Sequence, residues 1–505
     1  MLAAAVAVCA ALAGPAATGT GRGVTVVRAT AITPAPVWRP VAAGPYAPEP
    51  VRVPLCRVEG TIEGNIGFEL WLPADWNGRL LGAGVGGDAG VFNYADMSRR
   101  IAQGFATVTT DSGHKAGKAR WMADAKARVD YEHRATHLTA EVAKAIALRF
   151  YGRAVDKSYY LGCSGGGRQA LKEMQNYPGD YDGVIAGAPG PYMPLQSVRM
   201  MWGALLQKND PAGALTDADW ALYERRATAA CDKNDGVADG IVENPLRCRF
   251  RIESLACTPG QTSDCLSRPK LAMLETIVKP MPDEQGKAMD GGLTPGVRTR
   301  PGPPSPLLRA MWADGVHDDP DWNEDDFRRS ADLDAANRRM PELRADKTAI
   351  QPFIGRGGKA ILYQGWADPS TNAGPTLTYY GNLARAQGGL GALSQSVRLF
   401  MVPGMYHCGG GPGAGAFGGS GQPGATQDSD RDILWALVRW VEQGKAPERL
   451  TAARIDAGSV RFTRALCPFP QSARHDGRGP KDQAASYQCR RDPILARTLA
   501  AQSPP

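Results

Sequence analysis

YLGCSGGGRQAL, residues 160–171, sets a serine between a cysteine and three glycines. The apolar run before it reads as a strand, and RQALKEM after it reads as a helix. A phosphate-cradling loop would place Lys directly after the last glycine, where Arg168 stands, and the dinucleotide pattern G-x-G-x-x-G is absent. What is present is G-x-S-x-G, Gly162-Cys163-Ser164-Gly165-Gly166, at a strand-to-helix junction. That is the setting of a nucleophile elbow, in which a sharp turn needs small neighbours and presents the serine at a strand end. The helix that follows aims its amide dipoles at the site and favours developing negative charge. The plainer alternative is a tight turn with a solvent-facing serine.

An elbow demands an acid and then a histidine later in the chain, each at a strand end. Six histidines are available. His114, His133 and His137 precede the serine, His317 lies in irregular sequence, and His475 is in a polar tail. His407, in VPGMYHCGG, directly follows an apolar strand-like run. The preceding strand-like run, KAILYQGWADPST, ends with one carboxylate, Asp368. Asp182 competes, but it opens the strand YDGVIAG and reads as a tether of that turn. The order Ser164, Asp368, His407 is therefore reached by elimination. In such a triad serine and imidazole lie within hydrogen-bond reach. Their neighbours Cys163 and Cys408 are then expected close enough for a disulfide, with two buried thiols as the alternative.

From residue 51 to 190 the pattern alternates. VRVPLCRVEGTIEG and IGFELWLP suit an antiparallel opening pair. RLLGAGVGG, GFATVTTDSG, SYYLGCSG and YDGVIAGAP read as buried parallel strands. THLTAEVAKAIALRFYG has helical spacing and ends at Gly152. Strand-helix alternation predicts an α/β sheet with helices on its faces. Residues 192–350 break the rhythm with Asp-Gly turns, a proline-rich run and HDDPDWNEDDF, and read as an inserted lid. The expected organisation is a core in two parts, 50–191 and 351–505, around that lid: an α/β-hydrolase fold with a large insertion. GGGPGAGAFGGSGQPGA, 409–425, reads as a mobile low-complexity loop.

Of 505 residues, 43% are hydrophobic and 22% charged, ordinary for a soluble globular protein. The formal charge of +7 is scattered, without a basic-aromatic stripe, which argues against nucleic-acid binding. The N-terminal MLAAAVAVCAALAGPAATG is apolar and ends in small residues, as a secretory leader over residues 1–20 would. No later run is long and apolar enough for a membrane span. With Cys9 placed in that leader, nine cysteines remain. Three sequence-local pairs, Cys231–Cys248, Cys257–Cys265 and Cys467–Cys489, fit the disulfides of an exported or periplasmic protein. The odd count predicts one free thiol.

GCSGGGRQAL, YQGWADPSTNAG and VPGMYHCGGGPG, with Cys-Ser and His-Cys pairs, resemble the tannase and feruloyl esterase family, which includes a hydrolase of mono(2-hydroxyethyl) terephthalate. The resemblance extends from CRVEGTIEGNIGFELWLP to CPFPQSARHDG and YQC in the tail. It implies Ser164 as nucleophile, His407 as general base and Asp368 as its orienting acid. It also implies an oxyanion hole from the N–H of Gly165 and one from Gly86 or Gly87. CDKNDGVADGIVENPLRC is rich in hard oxygen donors, which on its own reads equally as Ca2+ ligands or solvated turns. Family members bind structural calcium with this pattern. Carried over, the ligands are Asp232, Asp235, Asp239 and the carbonyls of Val237 and Ile241, clamped by Cys231–Cys248. Some family members also pair their first cysteine with one in the glycine-rich loop. Here that loop reads GGDAG, with Ala89 or a neighbour where a cysteine would be, and Cys56 has no evident partner.

The expected activity is that of a secreted, monomeric serine carboxylesterase acting on small aromatic esters such as feruloyl, galloyl or terephthalate monoesters. Trp202, Trp312, Trp322 and Phe327 are candidate contacts to the acyl group, with ordinary lid core as the alternative for each. Arg328 or Arg329 is the candidate for a substrate carboxylate. An acyltransferase would share every catalytic residue and differ only in excluding water, whereas a binding protein on a silent hydrolase scaffold would fit the fold but not the intact triad.

Overall fold

The computed structural model describes residues 7–15, 23–41, 44–299 and 302–501. Ten strands form one sheet: β1 Gly14–Pro15, β2 Val24–Ile32, β3 Leu55–Ile62, β4 Ile66–Pro73, β5 Arg79–Ala83, β6 Ala106–Thr110, β7 Lys157–Cys163, β8 Gly183–Gly187, β9 Lys359–Gly365 and β10 Val397–Val402. Their order is β1-β2-β3-β4-β6-β5-β7-β8-β9-β10. The pairs from β1 to β4, and β4 with β6, are antiparallel; those from β6 through β5 to β10 are parallel. The opening hairpin and the four parallel strands appear where the apolar runs placed them. β6 and β8 are buried throughout, as parallel strands covered on both faces are; antiparallel β4 is buried throughout as well, and exposure rises only at β3.

The parallel strands bury both faces because alternate residues point opposite ways. Tyr160, Val184 and Leu362 pack with Leu171 and Met174 of helix Gly165–Asn176 and Leu377 of helix Ala373–Ala386. Their neighbours Tyr159, Leu161, Ile185 and Ile361 pack against Leu434 and Leu437 of helix Ile433–Gln443. Helix Ala135–Tyr151 ends as its sequence predicts. Gly152 takes φ +70°, and its N–H closes on the Leu148 carbonyl at 2.9 Å.

Between β8 and β9 the described residues contain no strand. Helices Met193–Asn209, Asp217–Cys231, Arg268–Val278 and Arg329–Arg339 make up much of this insertion. It has a core of its own around Trp220, Tyr223 and Leu274. A second cluster joins its Met201, Met311 and Trp312 to Val85, Trp121 and Tyr131, so it packs over the end of the sheet that carries β5. The tail forms two hairpins, β11 Leu450–Asp456 with β12 Ser459–Leu466 and β13 Gln471–His475 with β14 Tyr487–Arg491. Cys467–Cys489 ties them down.

Two expectations fail here. Cys56 does have a partner: it pairs with Cys9 across a Cα separation of 5.6 Å, and no cysteine is free. The odd count came from assigning Cys9 to a leader. Cys9 and Leu12 are buried against β2 and β3, and cleavage near residue 20 would remove this disulfide. The 409–425 loop is also not loose. Ala414, Ala416 and Phe417 are buried, Gly418 O accepts from Arg100 Nη2 at 2.7 Å, and Gln422 Oε1 accepts the N–H groups of Phe417 and Gly419. Its glycines permit close approach: a Cβ on Gly419 would meet the Gln422 side chain at 2.8 Å.

Candidate active site

Ser164 directly follows β7 and caps helix Gly165–Asn176 at φ 61°, ψ −126°. A side-chain-bearing residue pays about 1–3 kcal/mol for such a backbone. The surroundings explain how it persists. The Ser164 N–H donates to the Gly187 carbonyl (2.9 Å), and its own carbonyl accepts the Arg168 N–H (2.9 Å). A Cβ on Gly162 would overlap the Gly166 carbonyl, one on Gly166 would meet Gly84 at 3.0 Å, and one on Gly167 would overlap the Gly187 carbonyl. The glycines of GCSGGGR are therefore required by backbone crowding on three sides.

Asp368 lies in the turn after β9, fully buried. Its Oδ1 accepts the N–H groups of Ser370 and Thr371, both at 2.8 Å. His407 Nδ1 lies 2.8 Å from Asp368 Oδ2, and Gln364 Nε2 lies 3.3 Å from the same oxygen. An ionised carboxylate only accepts, so this contact places the imidazole proton on Nδ1 and leaves Nε2 as a base. Cys163 and Cys408 are bonded with a Cα separation of 5.9 Å. The disulfide ties the residue before Ser164 to the residue after His407. The other five histidines lie elsewhere, and His133 Nδ1 meets the Tyr177 hydroxyl at 2.5 Å. His137 faces Asp180 (2.6 Å), His317 faces Asp332 within the insertion (2.7 Å), and His475 Nε2 lies 3.0 Å from the Gly479 carbonyl in the tail. His114 is stacked on Trp121 at 3.6 Å, and burial pushes its pKa down to about 4. Asp182 accepts the Ser158 N–H at 2.9 Å near the start of β7, the opposite end from Ser164, and is the tether its position predicts.

Ser164 opens into a cavity of about 170 Å3 shared between sheet and insertion. Gly87, Gly165 and Thr371 line it from the sheet side, and Met193, Gln196, Met200, Leu308 and Met311 from the insertion. A second cavity of about 170 Å3 adjoins it through Gln196, Met200, Ser305 and Leu308, and reaches Trp202 and Ser370 beyond Asp368. The aromatics picked from sequence do not face the serine. Trp312 and Phe327 pack edge to face at 5.1 Å within the insertion core, Trp322 is buried beside His317, and Trp202 lines the neighbouring cavity rather than that of the serine. Methionines line the serine's cavity instead, among them Met193 and Met200, seven apart on one helix face. A bare apolar spacing of that kind carries no signal for a ligand. Arg328 and Arg329 are also elsewhere: Arg329 pairs with Glu284, Arg328 Nη1 donates to carbonyls of its own turn, and neither lines the Ser164 cavity.

Of the candidate oxyanion donors, Gly86 is committed: its N–H donates to Tyr46 Oη at 2.5 Å. Gly87 and Gly165 line the cavity with Ser164. In the acidic loop, Asp232 Oδ1 accepts the N–H groups of Asp239, Gly240 and Ile241 at 3.0–3.3 Å. Asp235 accepts that of Val237 at 2.9 Å, and the buried Asp239 Oδ2 lies against the Arg464 guanidinium. Among the described residues, no three His, Cys, Asp or Glu side chains converge as a ready metal cluster. The loop is nonetheless closed by Cys231–Cys248. The Cys257–Cys265 pair forms as its spacing predicts.

A positive-φ serine at a strand end, a half-buried histidine held by a buried aspartate and a helix-covered parallel sheet define a carboxylic ester hydrolase of the α/β-hydrolase fold. The tannase and feruloyl esterase family model matches residues 50–323 and 310–490, and the chain belongs to that family. An uncharacterised esterase of Xanthomonas campestris pv. campestris is 34% identical, over 86% of this chain and 84% of its own length. Feruloyl esterase C of Talaromyces stipitatus is 31% identical, over 86% of this chain and 85% of its own. The crystal structure of feruloyl esterase B from Aspergillus oryzae superposes with a TM-score of 0.86 at 28% identity, covering 92% of this chain and 97% of that one.

Proposed function

We propose that the chain is an exported serine esterase that cleaves esters of aromatic carboxylic acids (feruloyl, galloyl or terephthalate monoester type) through an acyl-enzyme. The observation that carries this reading is the disulfide-joined pair of loops, with Ser164 on its elbow and His407 held by Asp368. Ser164 Oγ attacks the ester carbonyl as its proton passes to His407 Nε2. Two backbone N–H groups hold the oxyanion, each worth about 2.7–4 kcal/mol. Collapse releases the alcohol, which takes the proton from His407, and water then enters by the same route in reverse to free the acid. Asp368 keeps its negative charge throughout and stabilises the imidazolium. Four methionines, Met122, Met193, Met200 and Met311, line the cavity, and such polarisable side chains suit a flat aromatic acyl group. The insertion acts as the lid that holds this group. Export is supported by five disulfides, since such bonds persist in oxidising compartments. Incubation with a fluorophosphonate is expected to label Ser164 once per chain and to stop hydrolysis of methyl ferulate in step. Labelling elsewhere, or activity that survives complete labelling, would contradict the mechanism.

Calcium in the 232–241 loop belongs to the same proposal. The donors fit by chemistry: three carboxylates and two carbonyls, all oxygen, within one closed turn. Asp239 would have to exchange the Arg464 guanidinium for the cation. Ca2+ at a hundredfold excess over its Kd is expected to stabilise the fold by about 2.7 kcal/mol. Asp235→Asn should erase most of that gain. Equal melting temperatures in Ca2+ and in EDTA would rule the site out.

A further inference from the structure

The loop from Gly84 to Gly90 faces the serine, has four glycines in seven residues, and contains no cysteine that could brace it. Side chains hold it instead, and two of them stem from the elbow helix. Gln169, buried five residues past Ser164, accepts the Val85 N–H at 3.0 Å and the Tyr160 hydroxyl at 2.8 Å. Arg168, also buried, donates from Nη2 to the Tyr131 carbonyl (3.0 Å) and from Nη1 to the Glu132 carbonyl (2.6 Å). Its guanidinium lies 5.1 Å over the Tyr131 ring. Tyr131, packed edge to face on Trp121 at 5.0 Å, then donates its hydroxyl to the Gly87 carbonyl at 2.8 Å. On the other side, Tyr46 Oη takes the Gly86 N–H.

These two contacts fall on consecutive peptide planes but one. Tyr46 fixes the plane carrying the Gly86 N–H, and Tyr131 fixes the plane carrying the Gly87 carbonyl. The plane between them carries the Gly87 N–H, which has no hydrogen-bond partner among the described residues. Gly87 sits at φ +63°, where glycine alone is unstrained, and its plane is otherwise held through the Gly86 carbonyl, which accepts the Ala89 N–H at 3.2 Å. A preorganised donor is effective because it needs no reorganisation when charge develops.

We propose that Tyr131 and Tyr46 are positioning residues that aim the Gly87 N–H, and not that of Gly86, to join Gly165 as the second oxyanion donor. The inference rests on the serine-esterase reading above. It is tested by Tyr131→Phe and Tyr46→Phe, which keep both rings and remove only the hydroxyls. Methyl ferulate hydrolysis is measured beside Ser164→Ala, with active sites counted by fluorophosphonate titration and melting temperatures recorded. Removing an oxyanion donor outright costs about 100- to 1000-fold in kcat, so a donor left unaimed should cost about 10- to 100-fold. That loss is expected for Tyr131→Phe in kcat per active site, with KM within about threefold and a smaller fall in Tyr46→Phe. Affinity for an aryl trifluoromethyl ketone, which adds Ser164 Oγ and carries an oxyanion, should fall by the same factor. A melting temperature that drops while kcat per site and ketone affinity hold would overturn the brace, as would wild-type kinetics in Tyr131→Phe beside an inactive Ser164→Ala. An inactive wild type, or an active Ser164→Ala, would overturn the serine reading and the brace with it.

Discussion

Ser164→Ala is expected to lower kcat for methyl ferulate by roughly a millionfold, the scale on which removal of a triad nucleophile acts in serine hydrolases. The loss should be one of chemistry alone. The elbow is held by backbone contacts, from Ser164 N–H to the Gly187 carbonyl and from Arg168 N–H to the Ser164 carbonyl, and alanine retains both. Alanine also carries the same Cβ as serine, so the cost of φ 61° is unchanged. The melting temperature should therefore stay within about a degree of wild type, since surface-accessible changes that break no packed contact are worth about 0.5 kcal/mol at most. A residual rate above the uncatalysed reaction should remain, because the oxyanion donors and the cavity are intact. Measured by product release under single-turnover conditions, a variant keeping more than one hundredth of the wild-type rate would show that another group attacks the ester.

The elbow and the sheet were legible because each rests on local physics. Gly162, Gly166 and Gly167 are forced by backbone crowding, so the glycine pattern announces the turn. Asp368 and His407 follow from chain order, since a parallel sheet brings successive strand ends to one edge. The parts that were not legible depend on side chains meeting across long separations. Tyr46 and Tyr131 each look like an ordinary aromatic until the glycine loop is placed between them. The insertion's tryptophans drew attention by size, but large rings fill the core of a strand-poor segment: Trp220 and Trp312 are at most 1% exposed. The partner of Cys56 was not legible because Cys9 lies in an apolar alanine-rich run, whose composition is the same in a leader and in a segment packed against a sheet edge. The glycine-rich 409–425 loop misled in the opposite sense. Low complexity there reflects close packing against Gln422 and Asp432, with no side chain needed at the contact points.

The double substitution Cys163→Ala, Cys408→Ala is expected to be the most destabilising change that leaves the triad residues in place. The bond closes a loop of 245 residues. In the chain-entropy model, opening a loop of that size relieves the unfolded chain of a constraint worth about 5 kcal/mol at 25 °C. Spread over the unfolding entropy of a protein this long, that corresponds to a midpoint about 5 °C lower. Cys257→Ala, Cys265→Ala is the control, because that bond spans only 8 positions. Its removal should cost about 2.5 kcal/mol by the same model and leave kcat unchanged, since the pair lies in the insertion away from Ser164. The active-site pair should differ in a second respect. Cys408 holds φ 63°, and once the bond is gone its loop keeps Gln422 Nε2 on the Cys408 carbonyl at 2.9 Å, the Tyr406 hydroxyl on Glu224 at 2.5 Å and His407 Nδ1 against Asp368 at 2.8 Å. These contacts tie the His407 loop to the turn after β9 and to the insertion, but its covalent tie to the elbow is lost, which lets His407 shift relative to Ser164. A misplacement of about 1 Å at reacting groups costs about a hundredfold in rate. Kinetics at 10 °C, where both variants are folded, should show that loss in kcat for the Cys163/Cys408 variant only. If both double variants kept wild-type kcat while the first still melted early, the bond would be a staple of the unfolded chain and not part of the catalytic geometry.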